Sequence, residues 1–200
     1  MRTAFWSRVD ERLLEALLGA ALALVALFGL LLPLFGVLGA GEPAARTVAI
    51  NRPAIAPGVP AGGDATLTGT REAELTVPHP DLIQRILLDA PGIVISAMTL
   101  LVIYLLIRIA RTLQAGEPFV PPNARRIRMI AAIVLLAGVL GPVAEATTTQ
   151  LLVQGNPVAD VVDFEAHIPG LPVLVGLLIA ALAEVFARGT RLRQDTEGLV

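Results

Sequence analysis

Four long apolar runs constrain this chain more than any other feature of its sequence. The first, 17–40, contains no charged residue over 24 positions, more than the roughly 20 that a helix needs to cross the hydrocarbon core of a bilayer. The other three runs are 90–107, 129–144 and 168–187. Only 16% of all residues are charged, against about 25% in soluble domains. The predicted fold is therefore an all-α membrane protein built on a four-helix transmembrane bundle.

The first run has an alternative interpretation as a secretory signal peptide. The apolar region of a signal peptide is normally about 7–15 residues long and is followed by a small-x-small cleavage site. This run is longer, and Leu38 occupies the −3 position of the best cut, after Ala40. An uncleaved transmembrane helix is the favoured prediction. The segments outside the spans are then 1–16, 41–89, 108–128, 145–167 and 188–200.

Arginine is distributed unevenly among these outer segments. Eleven of the fifteen basic residues, all of them Arg, lie in the two termini and the loop 108–128, and none lies in the loop 145–167. Cytoplasmic flanks of membrane spans carry an excess of positive charge. Both termini and the central loop are therefore predicted to be cytoplasmic, and the loops 41–89 and 145–167 extracytoplasmic.

The loop 41–89 carries strand patterns. The stretches RTVAIN (46–51) and ATLTGTREAELTV (65–77) are rich in Thr and Val and alternate apolar with polar residues, which is typical of β-strands. The fold class thus includes a small, partly β extracytoplasmic portion.

Two helix starts follow in the same loop. Asp81, with Gln84 three residues later, predicts the capped start of a short helix lying on the membrane surface. Asp89 is predicted to be the N-cap of the second span, with Pro91 in its first turn.

The acidic loop offers a candidate metal site. In VVDFEAHI, Asp163, Glu165 and His167 alternate with apolar residues, so a strand would present all three on one face. Carboxylates and imidazole suit a divalent metal, and His79 is a fourth candidate ligand. The favoured alternative is an amphipathic strand with a wet polar face that pairs with the strands of the first loop.

The central connector LQAGEPFVPPNARRIR carries helix-boundary signals. Gly116 is predicted to end the second helix as its C′ residue, and Pro118 to enforce the stop. The tandem prolines 121–122 are predicted to keep the connector extended, and Asn123 to be the N-cap of the third helix.

The same connector is a candidate partner- or lipid-binding site. Cations in the first turns of a helix oppose its dipole, so helix chemistry does not explain the arginines after Asn123. Topology explains them, because positive flanks fix orientation and anionic headgroups attract each Arg. A specific protein or phosphoinositol-like headgroup is the sharper hypothesis. The candidate residues are Arg108, Arg111, Phe119, Arg125, Arg126 and Arg128.

Small residues recur at helical spacing in all four spans, for example Gly92 and Ser96, Gly138 and Gly141. Such rows allow helix backbones to approach closely in lipid. They indicate either a homo-oligomer interface or packing within one bundle, and the second is favoured.

The connector and the tail LAEVFARGTRLRQDTEGLV together resemble a bacterial membrane family labelled domain of unknown function 2975. The connector matches the family pattern at Gly116, Pro118, Phe119 and Asn123. The tail matches it at Glu184, Val185, Phe186, Gly189, Leu192, Asp195 and Glu197. The resemblance covers about 110 residues from the second span onward. It implies four spans in a bacterial cytoplasmic membrane and a cytoplasmic helix-turn-helix regulator as a partner, and it assigns no activity.

The sequence argues against catalysis. The central parts of the four runs contain no ionisable side chain, whereas chemistry or transport within a membrane needs such groups at depth. No metalloprotease, serine-hydrolase or P-loop motif is present. We therefore expect no enzyme activity, no cofactor and no direct contact with nucleic acid. The expected function is a membrane regulator, sensor or scaffold acting through proteins; the alternative is a transporter or channel subunit that forms a pore by oligomerising.

Overall fold

The fold is mostly helical, with one two-stranded sheet. The computed structural model describes residues 2–38, 44–54, 70–116 and 120–197, with the backbone alone at 2–12, 53–54, 70 and 192–197. The elements in chain order are α1 (Arg2–Leu24), a π-helical segment (Val25–Leu31), α2 (Leu32–Leu38), β1 (Ala44–Ala54), β2 (Thr70–Val77), α3 (Leu82–Gln114), α4 (Pro121–Val153), a 3-10 turn (Pro157–Asp160) and α5 (Gly170–Glu197). The first helical segment combines α1, the seven-residue π-helical segment and α2.

Four of the helical segments are long and apolar enough to cross a bilayer. They are Leu13–Leu38, Leu82–Gln114, Pro121–Val153 and Gly170–Arg191. Large apolar side chains along them are exposed, including Phe28 at 61%, Leu171 at 70% and Leu178 at 62%. Hydrocarbon solvates such side chains well, whereas water does not. The predicted fold class, an all-α bundle of four membrane spans with a small β portion, is confirmed.

Helix α3 begins eight residues before the predicted second span. Asp81 Oδ1 accepts a hydrogen bond from Gln84 N at 2.7 Å, and Gln84 Oε1 accepts one from Asp81 N at 3.0 Å. This is the reciprocal capping box predicted there. The helix then continues through Pro91 to Gln114. A separate surface helix and an N-cap at Asp89 were therefore wrong predictions, since the helix passes through both without a break.

The boundaries of α4 differ from prediction at both ends. The helix begins at Pro121, because the fixed φ of proline suits the first turn and its missing N–H has no helical partner there. Asn123 is thus inside the first turn and is not the N-cap, and the tandem prolines do not extend the connector. At the other end α4 passes Glu145, the predicted start of the outer loop, and reaches Val153. Gly155, with φ +82°, follows that end.

Two other boundaries clarify the connector and the tail. Gly116 has φ +77° and follows α3, which confirms it as the C′ residue. Pro118 and Phe119 lie outside the described residues. Helix α5 runs to Glu197.

The chain divides into two compact units, which we call the helical unit (Met1–Pro33, Gly92–Gly141, Ile168–Val200) and the sheet unit (Leu34–Pro91, Pro142–His167). In the helical unit, helices meet at glycines. A Cβ added to Gly176 would lie 2.6 Å from Leu135 Cγ, and one added to Gly141 would lie 3.1 Å from Ile95 Cδ1. The small residues at these positions therefore serve packing within one bundle, the favoured interpretation.

The sheet unit is built on the predicted strands. β1 and β2 pair antiparallel, with Arg46 opposite Leu75 and Val48 opposite Ala73. The segment after α4 joins the other edge of β1 through an antiparallel bridge between Ile50 and Val162. The buried core of this unit consists of Val48, Ile50, Val153 and Val162. The prediction that the acidic loop pairs with the strands of the first loop is confirmed at this bridge, and the rest of VVDFEAHI forms no strand.

Candidate functional site

A half-buried arginine on β1 joins the sheet to two helices of the sheet unit. Arg46 Nη1 donates to Thr148 Oγ1 at 2.8 Å and to Thr149 Oγ1 at 3.2 Å, both on α4. Arg46 Nη2 donates to the carbonyl of Leu87 on α3 at 3.0 Å and also to that of Leu88. We call these five residues the Arg46 cluster. One guanidinium therefore binds a strand to both helices, using the several fixed donors that distinguish Arg from Lys.

Pro91 explains why the Leu87 carbonyl of α3 is available as a hydrogen-bond acceptor. In an α-helix the amide of residue 91 would donate to the carbonyl of residue 87, but Pro91 has no N–H. The Leu87 carbonyl is thereby left without its helical donor, and a buried carbonyl without a donor is costly. Arg46 supplies the missing donor. The long helix α3 tolerates an internal proline here because a side chain from another element satisfies the carbonyl that the proline frees.

Burial and neighbouring carboxylates have opposite effects on the pKa of Arg46. The pKa of the Arg46 guanidinium lies below its ordinary value, because burial lowers this pKa by more than the nearby Glu145 and Asp89 carboxylates raise it. Burial disfavours the charged form, whereas opposite charges favour it. A guanidinium starts from so high a pKa that it stays protonated at neutral pH. The Arg46 cluster is therefore a cationic site that holds its charge next to two acids.

Sequence reasoning missed Arg46 as a site residue, although two signals pointed to it. Arg46 shares the face of β1 that carries the apolar residues Val48 and Ile50, and a cation on such a face needs a partner. Pro91 lies four residues after Leu87 on a helix, which indicates a freed carbonyl. Neither signal identifies the partner, because Thr148 lies 102 residues away in the chain.

A second polar cluster lies at the α3–α4 connector, in the helical unit. Arg126 Nη1 donates to Asn123 Oδ1 at 2.8 Å, Asn123 Nδ2 donates to Thr112 Oγ1 at 2.7 Å, and Thr112 Oγ1 donates to the Ile109 carbonyl at 2.7 Å. Asn123 is fully buried. Arg126 also donates to the Arg108 carbonyl at 3.2 Å. We call Asn123, Thr112, Arg126 and Arg108 the Asn123 cluster. It fixes the first turn of α4 to the last turns of α3.

The predicted partner-binding arginines fall into two groups. Arg126 is used inside the Asn123 cluster, Arg111 pairs with Glu15 at 3.0 Å, and Arg108 lies 5.8 Å from the Tyr104 ring centroid. Arg125 and Arg128 are exposed. Among the described side chains, neither of these two has a hydrogen bond or an ion pair. The surface that remains for a partner is therefore narrower than the predicted set, which also included Phe119.

The tail residues of the predicted motif have local roles where their side chains are described. Glu184 and Arg188 form an i,i+4 ion pair at 3.1 Å. The Phe186 carbonyl accepts a hydrogen bond from Thr190 Oγ1 at 2.9 Å. Gly189, which precedes Thr190 in the chain, is half-buried. Asp195 and Glu197 belong to α5, but their side chains lie outside the described part.

The candidate metal ligands are not gathered into a site. Asp163, Glu165 and His167 are all exposed, as is His79. Within the described ranges, no group of three or more His, Asp or Glu side chains has a geometry that could hold a metal ion. Because only Val162 of this stretch joins the sheet, the alternation that would align the three ligands on one strand face is not formed.

Four helices able to cross a bilayer, combined with a small sheet, define the chain as a multi-pass membrane protein. A family model described as Protein of unknown function (DUF2975) matches residues 67–200. The match covers more than half of the chain, so the chain belongs to this family, as the resemblance of the connector and tail predicted. The matched region begins before β2 and thus includes part of the first long loop. Neither the curated proteins nor the solved structures contain a match.

Proposed function

We propose that this protein is a non-catalytic membrane regulator, sensor or scaffold that acts through protein partners. Its proposed location is the bacterial cytoplasmic membrane, with both termini on the cytoplasmic side. The arginine distribution supports this orientation, because eleven of fifteen basic residues lie in segments that this topology makes cytoplasmic. The scarcity of ionisable groups at span depth supports the absence of catalysis.

The observation that carries the proposal is the fixed display of Arg125 and Arg128. The Asn123 cluster holds the start of α4 through hydrogen bonds of 2.7–2.8 Å, and the side chains of Arg125 and Arg128 that follow on this helix are exposed. A surface held in one conformation loses less entropy when it binds. Exposed arginines on a fixed helix turn suit an acidic surface of a cytoplasmic protein. The helix-turn-helix regulator implied by the family resemblance is the proposed class of partner.

Affinity purification tests the proposal. The protein is solubilised from its native membrane, and co-purifying cytoplasmic proteins are quantified for the wild type and for Arg125→Gln/Arg128→Gln. We expect a specific protein to be recovered with the wild type and its recovery to fall at least about tenfold with the variant, as for loss of two charged interface contacts. The matched control is Arg188→Gln/Arg191→Gln, which removes two arginines from the proposed same side of the membrane.

Two outcomes would overturn the proposal. Equal recovery with both double variants, at equal membrane insertion, would remove the connector from the interface. A selective ion current from the purified protein in proteoliposomes would instead support the pore-forming alternative.

A further inference from the structure

The outer edge of β2 has backbone groups that the fold leaves available. Asn51 N donates to the Val161 carbonyl at 2.9 Å, and Asp163 N donates to the Ala49 carbonyl at 3.0 Å. Residues 49 and 51 thus direct their backbone groups away from β2. Backbone groups alternate between the two edges of a strand, so Val48 directs its groups towards its partner Ala73.

The same alternation gives the direction of each residue on β2. Ala73, Leu75 and Val77 direct their backbone groups towards β1, and Glu74 and Thr76 direct theirs to the opposite edge. Within the part of the chain that the structure describes, no backbone hydrogen bond reaches Glu74 or Thr76 from that edge. Two amides and two carbonyls are therefore in position to pair with another strand.

Side chains at this edge favour one kind of occupant. Glu74 and Thr76 are exposed on the face opposite the core, while Ala73 and Leu75 pack on the core. An added strand would place one of its side chains directly beside Glu74, where opposite charges attract and like charges repel. A basic side chain at that position is thus favoured.

A second copy of this chain fits the edge poorly. Two copies of β2 that pair antiparallel about a two-fold axis have the most paired residues when the axis passes beside residue 73 or residue 74. The first register places Glu72 opposite Glu74 of the other copy, and the second places Glu74 opposite Glu74. Both put like charges side by side, an arrangement that proteins use to keep sheet edges apart.

We propose that β2 is a docking edge for an extended peptide segment that carries a basic side chain beside Glu74, added as a third strand. Main-chain hydrogen bonds to Glu74 and Thr76 provide the affinity, and the carboxylate provides the selectivity. The inference goes beyond the proposed function, because binding at this edge needs no cytoplasmic partner.

The test uses the purified full-length protein and two labelled peptides of about eight residues, the length of a strand. One alternates Lys with Val and Thr, and the other has Glu in place of each Lys. Binding is followed by fluorescence anisotropy, and backbone protection by hydrogen exchange of residues 70–77. We expect the Lys peptide to bind at least about fivefold more tightly than the Glu peptide, given the energy of cross-strand charge pairs. We also expect it to slow exchange of the Glu74 and Thr76 amides.

Two variants separate this mechanism from a general charge effect. Glu74→Lys should reverse the preference, so that the Glu peptide binds more tightly than the Lys peptide. A misfolded variant could not bind the Glu peptide more tightly than wild type does, so this gain in affinity cannot result from loss of folding. Thr76→Pro should abolish binding of both peptides while keeping the ladder to β1, because only an outward N–H is lost. Glu165→Lys, at an exposed carboxylate of the same unit, is the control that should change neither preference nor affinity. Equal binding of the two peptides, or unchanged exchange of both amides at saturation, would overturn the inference.

Discussion

Arg46 Nη2 lies 3.0 Å from the carbonyl oxygen of Leu87, the helical position that Pro91 cannot supply with a hydrogen bond. The arginine and the proline are therefore two halves of one arrangement. The proline frees a carbonyl on α3, and the strand binds the helix through that carbonyl.

Replacement of Arg46 should destabilise the sheet unit more than replacement of an exposed arginine on the same strand. Arg46→Met keeps most of the side-chain volume but leaves the Leu87 carbonyl and the hydroxyls of Thr148 and Thr149 without their donor. We expect a loss of about 2–3 kcal/mol in the free energy of unfolding, as for charged hydrogen bonds that leave buried partners. Denaturant titration in detergent micelles measures it. Arg52→Met, at an exposed residue of β1, should stay within about 0.5 kcal/mol of wild type.

Pro91→Ala should partly relieve the loss of Arg46. Alanine restores the N–H that donates to the Leu87 carbonyl, so Arg46→Met should cost at least about 1 kcal/mol less in the Pro91→Ala background than in wild type. A double-mutant cycle on the same unfolding transition measures this coupling. Additive costs would mean that the bond from Arg46 to the Leu87 carbonyl does not replace the hydrogen bond that Pro91 cannot make.

The buried Asn123 should be sensitive to loss of its polar group. Asn123→Leu removes the acceptor of Arg126 and the donor to Thr112, and we expect it to destabilise the helical unit by about 1–3 kcal/mol. The same measurement on Thr99→Val serves as a comparison. Within the described residues, the Thr99 hydroxyl donates to the Ile95 carbonyl of its own helix at 2.9 Å and to no other group, so its removal should change stability by less than about 0.5 kcal/mol.

Replacement of Gly176 should destabilise the helical unit even when the new residue is alanine. The new Cβ would lie 2.6 Å from Leu135 Cγ and 3.3 Å from Leu135 N, so α4 and α5 must separate to admit it. We expect Gly176→Ala to lower the free energy of unfolding by about 1–3 kcal/mol, typical of overpacking. At Gly19 nothing lies within 4 Å of an added Cβ. Gly19→Ala should therefore be neutral or stabilise its helix by up to about 1 kcal/mol, and a loss of stability there would contradict the packing described above.

Labelling of single cysteines tests the proposed orientation, and the absence of native Cys makes a clean background. With a membrane-impermeant maleimide, Arg52→Cys should react in intact spheroplasts. Arg128→Cys should react only after the membrane is permeabilised. The reverse result would invert the proposed topology, and reaction of both positions from one side would contradict a membrane span between them.

The sequence allowed the spans, the two strands and the capping box at Asp81 to be predicted, because each depends on local composition or on residues a few positions apart. Apolar runs of span length and alternating Thr- and Val-rich stretches are short-range signals. The start of the helix that contains the second span was misplaced for a related reason. A proline and an aspartate at 89–91 are together a good local helix start, and only a distant guanidinium makes the proline acceptable inside the helix.

Neither polar cluster could be predicted in full. Asn123 was recognised as important but was assigned to a cap, because tandem prolines are compatible both with an extended connector and with the first turn of a helix. Its burial against Thr112 depends on how closely α3 and α4 approach. The strand that would align the candidate metal ligands on one face is not formed. Their spacing suits such a strand, but the segment leaves the sheet after the bridge at Val162.

The Arg46 cluster also dictates an order of assembly. The Leu87 carbonyl lies 41 residues after Arg46 in the chain, and the Thr148 hydroxyl lies 102 residues after it. At ribosomal rates of about 5–20 residues per second, the second partner is made roughly 5–20 s after the arginine. During that interval Arg46 has been synthesised and α4 has not. The sheet unit therefore cannot finish folding during early translation. A fully folded sheet unit requires that α4 is already in place.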